Sequence, residues 1–358
     1  MRHPTRILAW SCSLLAGLAL AAPSSAAPPR WTPTAAFTTS PISSLAVTPA
    51  GPSFVIAFSL DGIFRSADRG ESWTEVFSSS DGPFFAQAFD PRFPRTLYSF
   101  GNNGEADELF ESTLAGREQR LLPVPFQCGG DSICEVDMTA FAVDPLHPGT
   151  ILVAGSYFFH FQGGGIFLLR SADAFATSES LPIPAPLAAL AVAPDRPGVL
   201  YGLTCSGLLK SEDAGASWHP AGHGLPATLC ADVSGCPGCA RPSLQLDPER
   251  PEFLYVGTRR NGVYQSANGG RTFHAMNAGL ESASIVSLLI DPTNPAKLYA
   301  GVAKAGVFQW TARRQAWSPL NDGLPLDDFG GVVTLDPQHP SVLYAGTDTQ
   351  GVFRLDSR

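Results

Sequence analysis

The sequence predicts an all-β protein: a single seven-bladed β-propeller of four-stranded antiparallel blades. Two periodic markers and the match between the chain ends carry that prediction. A strand running into a proline turn recurs at Pro49, Pro91, Pro145, Pro194, Pro248, Pro292 and Pro337, spaced 42, 54, 49, 54, 44 and 45 residues apart. The stretch Gly62-Ile-Phe-Arg-Ser-Ala-Asp-Arg-Gly-Glu-Ser-Trp73 returns at 207–218 and 262–273, with a fainter copy at 306–317. Units of four short strands at a period of about 40–50 residues are the signature of a propeller. The last unit stops just after Gly351-Val-Phe-Arg354, while Arg30-Trp31-Thr32-Pro33 near the N-terminus matches Ser217-Trp218-His219-Pro220. The N-terminal strand is therefore expected to complete the seventh blade, closing the ring and leaving no edge strand unpaired.

Within each unit the innermost strand runs into the turn, where Pro fixes φ and Asp, when present, bonds nearby amides. The second strand carries Leu-Tyr-x-Gly, as at Phe253-Leu-Tyr-Val-Gly257 and again at Lys297-Leu-Tyr-Ala-Gly301. The third is Gly-Val-Phe-x-Ser, and the outermost starts at the Trp. Val/Leu/Tyr runs with Gly and Pro between them exclude a helical solenoid of similar period. The 35 Gly and 32 Pro, beside 44% hydrophobic residues, read as dense turns around a large core and not as disorder.

Ser66-x-Asp68-x-Gly70-x-Ser72-Trp73 and Ser211-x-Asp213-x-Gly215-x-Ser217-Trp218 match the Asp-box, and Ser266, Asn268, Gly270 and Phe273 form a third, altered copy. Here the chain resembles the BNR-repeat propellers, a superfamily that includes sialidases, xyloglucanase-type hydrolases, sortilin-type receptor domains and photosystem II assembly factors. The resemblance covers nearly the whole of residues 28–358. The segment Ser171-Ala-Asp173 lacks the Gly, and Ser112-Thr-Leu114-Ala-Gly116 lacks the Asp, so both read as decayed. The box itself reads as a fold device. Gly permits positive φ, Asp and Ser bind turn amides, and the Trp packs between sheets.

Arg2 and Arg6, an apolar run over 7–22 and small residues to Ala27 describe a cleavable secretory leader over 1–26. Secreted, periplasmic or cell-surface placement follows as the expectation. Formal net charge is −9, without a Lys/Arg run, which is the wrong footprint for nucleic acid or an anionic membrane. Loss of Cys12 with the leader leaves six cysteines, and an even number in an exported chain favours disulfides. Cys128 and Cys134 lie in one loop and are expected to pair. Cys205, Cys230, Cys236 and Cys239 supply two more bridges, with connectivity open. Zinc would want two close Cys pairs, which Cys205 and Cys230 do not make, and a redox Cys236-Pro-Gly-Cys239 would want a βαβ setting. No metal or cofactor is expected, and the protein reads as a monomer.

Chemistry in a propeller of this kind belongs on the face opposite the box hairpins. The resemblance to sialidases implies an Arg triad there, but the Phe/Tyr-Arg-Ile-Pro signature is missing, and Arg65, Arg170, Lys210 and Arg354 share one repeat position. The weak catalytic alternative, a glycoside hydrolase, places Asp327 and Asp328 in the last inter-blade loop. Three loops stand out: the acidic 101–108, the aromatic 156–165 and the basic 258–262. Aromatic and Arg side chains on loops of a rigid scaffold are what binding surfaces use. The first expectation is a non-enzymatic scaffold for a protein or glycan, with Tyr157, His160, Arg259 and Arg260 as contacts.

Overall fold

The computed structural model describes residues 28–78, 84–91, 93–102, 107–113, 118–124, 134–159, 163–230, 242–280 and 282–357. The leader, His160, Cys128, Cys236 and Cys239 lie outside the described residues. The described strands form seven four-stranded antiparallel sheets. Blade 1 is β2 (Ile42–Val47), β3 (Val55–Ser59), β4 (Gly62–Ser66) and β5 (Thr74–Ser78). Blade 2 is β6 (Phe84–Phe89), β7 (Leu97–Asn102), β8 (Asp107–Thr113) and β9 (Glu118–Leu122). Blade 3 is β10 (Cys134–Val143), β11 (Ile151–Phe159), β12 (Gly163–Ser171) and β13 (Glu179–Leu181). Blade 4 is β14 (Ala189–Val192), β15 (Leu200–Thr204), β16 (Gly207–Ser211) and β17 (His219–Ala221). Blade 5 is β18 (Ser243–Leu246), β19 (Leu254–Thr258), β20 (Gly262–Ser266) and β21 (His274–Ala275). Blade 6 is β22 (Ile285–Ile290), β23 (Lys297–Val302), β24 (Gly306–Thr311) and β25 (Ala316–Pro319). Blade 7 takes β26 (Val332–Asp336), β27 (His339–Gly346) and β28 (Val352–Asp356) from the end of the chain and β1 (Thr32–Pro33) from its start.

That last blade closes the ring as expected. Thr32 pairs with Arg354 and Pro33 with Phe353, and β26 touches the innermost strands of both neighbours, β22 and β2. Apolar clusters lie between blades, as alternation along each strand requires. Trp31, Tyr299, Val307, Leu335 and Phe353 make one such cluster across blades 6 and 7.

Two polar devices build the face that carries the strand 1–2 turns and the box hairpins, called here the turn face. The first is the Asp-Pro turn. Buried Asp247 accepts the amides of Glu249 and Arg250, both at 3.0 Å, while its other oxygen takes the Arg250 guanidinium at 2.8 Å. Asp291 and Asp336 accept their turn amides in the same way. A buried carboxylate is tolerated only when so satisfied.

The second is the box hairpin. Ser66 Oγ donates to Asp68 and accepts the Gly70 amide at 2.7 Å, and Asp68 accepts the amide of Ser72 at 2.9 Å and its hydroxyl at 2.5 Å. The same bonds recur at Ser211/Asp213, and at Ser266 with Asn268 accepting the amide of Thr272 but donating its Nδ2–H to the Thr272 hydroxyl at 2.8 Å. Two of these hairpins also staple blades together through their Gly carbonyls. The Gly70 carbonyl accepts the Ala35 amide, and that of Gly270 accepts the Gly222 amide, both at 2.8 Å. Indole N–H groups reach back to the preceding blade: Trp317 donates to the Met276 carbonyl at 2.6 Å and Trp73 to Thr34 at 3.3 Å.

Two sequence expectations change here. The Ser171 hairpin has not decayed: Ser171 and Asp173 make the full set of bonds, with Phe175 in the Gly position at φ +62°. The stretch 156–165, read from the sequence as a loop, is largely paired strand, with Gly163, Gly164 and Gly165 opposite Phe159, Phe158 and Tyr157.

Candidate functional site

The opposite face, the loop face, carries the strand 2–3 hairpins and the loops entering each innermost strand. Its hairpins share one repeated bond, in which the hydroxyls of Ser59, Thr204, Thr258 and Thr347 donate to the carbonyls of Gly62, Gly207, Gly262 and Gly351, and they differ in their further braces. In blade 1, Asp61 accepts the hydroxyls of Thr38 at 2.6 Å and Ser40 at 2.7 Å, and these bonds hold its carboxyl below the usual carboxylate range. In blade 4 the turn after β15 is tied by the Cys205–Cys230 disulfide, whose Cα atoms stand 4.9 Å apart, and by the Leu229 amide on the Cys205 carbonyl at 2.8 Å. This resolves one of the open pairings among the four later cysteines. Backbone is described for Cys134 at the start of β10, while its expected partner Cys128 lies outside the described residues.

Arg259 and Arg260 occupy the turn between β19 and β20. Thr258 accepts the Asn261 amide at 2.9 Å, Asn261 reaches the Thr228 carbonyl at 3.2 Å, and the Gly262 amide bonds the Ala283 carbonyl at 3.1 Å. Arg260 is exposed; Arg259 is half-buried, and that burial pulls its pKa down.

The aromatic loop is an arm. Strands β11 and β12 are each 9 residues long, against 5 for β3, β4, β15, β16, β19 and β20. Ile151 pairs with Ser171 as Val55 pairs with Ser66, so the strands are aligned at the turn face. The extra length stands out from the loop face, by about 13 Å at roughly 3.3 Å per residue. Strand alternation then sorts its aromatics. Tyr157 turns toward blade 2, packing against the cluster of Tyr98, Phe100 and Val136, and its ring lies over Gly165, where a Cβ would come within 2.5 Å of the hydroxyl oxygen. Phe158 turns the other way, over Gly164, and is 57% exposed. Tyr157 is therefore chiefly a packing residue, and among the described side chains of the arm the outward aromatic is Phe158. One whole blade separates this arm from the Arg259–Arg260 turn.

The two acidic candidates also separate. Asp327 is exposed on a 3-10 turn, Leu326–Asp328. Asp328 braces the β27–β28 hairpin, accepting the Thr349 hydroxyl at 2.9 Å and the Gln350 amide at 3.1 Å. Its carboxylate neighbour is not Asp327 but Asp348, whose pKa is pushed up by burial and then by the Asp328 charge, with Lys304 opposing. Sequence reasoning missed Asp348 because the contact joins a hairpin tip to an inter-blade loop.

On the turn face a cleft of about 500 Å³ lies between blades 3 and 4, lined by Asp144, His147, Arg170 and Glu179 among others. Its ionisable groups are paired with each other, Asp144 with His147 at 3.0 Å and Arg170 with Glu179. Arg65, Arg170, Lys210 and Arg354 do not converge: each lies on the third strand of its own blade. Among the described residues no group of three or more His, Cys, Asp or Glu is placed to hold a metal ion, and no helix is long and apolar enough to cross a membrane.

No family model matches the sequence, and no curated protein matches it. Among solved structures the fold is similar to the extracellular domain of a protein assigned as a hybrid two-component system from B. thetaiotaomicron. The match has a TM-score of 0.60 at 14% identity and covers 92% of this chain, which spans 39% of that neighbour's length. At such identity the likeness speaks for the fold alone.

Proposed function

We propose that this protein is an exported, non-enzymatic BNR-type propeller that binds a protein or glycan through its loop face. The observation that carries the reading is the pair of groups the loop face presents outside its shared hairpin bonds: an exposed Phe158 on a long arm and an exposed Arg260 on a braced turn. Exposed aromatic and Arg side chains on a rigid frame are typical anchors. The Cys205–Cys230 disulfide fits an oxidising compartment, in keeping with a leader over 1–26.

The test compares the mature protein with a Phe158→Ala/Arg260→Ala variant on glycan arrays and in capture from envelope and secreted fractions. Both substitutions are at exposed positions, so folding is expected to be unchanged. A ligand held by the first and lost by the second supports the face. Equal retention by both moves the site elsewhere, and a blank on every arm sinks the scaffold reading.

A second reading, a glycoside hydrolase, is favoured by one observation: Asp348, a carboxyl whose pKa is raised by burial and by the neighbouring Asp328. A carboxyl with its pKa raised is a candidate general acid. Hydrolysis of any member of a chromogenic glycoside panel, abolished in Asp348→Asn, would establish it. No turnover across the panel removes it.

A further inference from the structure

The blade 3 arm carries a strip of strand that no other strand covers among the described residues. In that blade β13 pairs with β12 only at Leu168, Leu169 and Arg170, so it stops short of Gly163–Ile166 on the arm. In blade 1 the corresponding outer strand reaches the first residue of the third, Gly62 with Ser78. The cause is in the sequence: Leu181 is followed by Pro182-Ile-Pro-Ala-Pro186, and prolines carry no N–H with which to continue a ladder.

We propose that this edge of β12 takes an extended basic peptide segment of a partner protein as an added strand. The inference rests on the scaffold reading and names the ligand class for its loop face. A row of backbone donors and acceptors at strand spacing is complemented by another strand, and by neither a sugar nor a helix. Natural edges are guarded by Lys, Pro or bulges. Gly163-Gly-Gly165-Ile166 has none of these, and its glycines let a second backbone approach closely. Beside the edge, Phe158 at 57% exposure and Ile166 at 36% share one face of the arm and offer apolar contact to alternate side chains of the incoming strand.

Charge decides between a foreign peptide and a second copy of this chain. Positions Glu135 and Asp137 of β10 stand in register with Phe158 and Ser156, on the face of the arm that carries Ile166, while the one cation of the blade, Arg170, sits at the turn-face end of β12. Two such arms set edge to edge repel each other, whereas a strand flanked by Lys or Arg is attracted.

The test selects peptides from a displayed library of random linear 12-mers on the full mature chain, then measures amide exchange with and without the enriched peptides. Strand addition predicts Lys/Arg-flanked winners that slow exchange at Gly163–Ile166 at least tenfold and leave β19–β20 unchanged. N-methylation of alternate peptide amides is expected to weaken binding at least tenfold, and Ile166→Lys likewise, with β19–β20 exchange reporting that the variant is folded. Winners that leave the β12 amides unprotected, an empty selection, or protection of β12 by concentration-dependent self-association would each overturn the proposal. A glycan bound at Phe158 with no peptide on β12 would overturn it while leaving the scaffold reading intact.

Discussion

The box hairpins of blades 3 and 4 make the same hydrogen bonds and are filled in different ways. Ser171 and Ser211 both accept the amide four residues on at 2.8 Å, and Asp173 and Asp213 accept the next amide but one at 2.9 and 2.8 Å. Both hairpins place two successive residues at positive φ: Ala174 and Phe175 at +55° and +62°, Ala214 and Gly215 at +60° and +92°. In blade 4 the second of these is Gly, and Trp218 packs against Leu181 and Leu187 of the inter-blade cluster. In blade 3 the Trp position holds Ser178, and Phe175, 3% exposed, fills the space toward Tyr98, Leu109 and Leu122 of blade 2. A non-Gly residue in the left-handed region costs about 1–2 kcal/mol, and burying Phe returns about 1.5–3 kcal/mol. The two terms roughly cancel, so the Ser and Asp bonds define the hairpin, while Gly and Trp are one of at least two ways to fill it.

The comparison breaks first at Phe175. Phe175→Ala keeps the strain and removes the filling, so denaturant unfolding is expected to show a loss of about 3–5 kcal/mol. Phe175→Gly also relieves the backbone and is expected to cost about 1 kcal/mol less than Ala. Equal losses would mean that the hairpin stores no strain. Next comes Gly215, where a Cβ would meet Leu181 Cδ1 at 2.9 Å. Gly215→Ala is expected to destabilise by about 1–3 kcal/mol. Adding Trp218→Ser to Gly215→Phe transplants the blade 3 solution, and the pair is expected to cost less than the sum of the singles by at least about 0.5 kcal/mol.

A gentler probe is acid. Hydrogen bonds from Ser217 and Ser211 lower the Asp213 pKa from 3.8 to about 2. A depressed folded pKa means stability that is fully present above 3.8 and is lost as pH falls toward about 2. Asp213→Asn, copying the Asn268 box, is expected to flatten that acid limb, read from thermal midpoints across the window. An unchanged limb would place the acid sensitivity in other carboxylates. The smallest effect belongs to the loop face. Phe158→Ala is expected to shift stability by less than about 0.5 kcal/mol, since that ring is exposed.

What was legible in the sequence follows the same division. Blade count, ring closure and the box bonds were readable because the turn face is built from residues that recur in register. Phe175 was not, since a box without Gly looks degraded until Ser178 is seen to have made room for a different filler. The choice between Tyr157 and Phe158 depends on strand register, and β10 carries a bulge between Met138 and Ala140 beneath the arm. One residue of slip exchanges the inward and outward rings. Likewise the meeting of Asp328 with Asp348, and the choice of Cys230 for Cys205, are long-range events with no periodic signature.

The two-residue strand β1 has a consequence in time as well as in space. It pairs with Arg354 across a separation of 322 residues, and the Trp31 indole bonds the Leu320 carbonyl beside it. During synthesis, the partner of this strand is made 322 residues later. Until then blade 1 lacks that neighbour, so ring closure carries the loop entropy of all the intervening chain. Joining the ends and reopening the chain between two other blades would move that step without changing a single blade, and would turn the order of manufacture into a variable of folding.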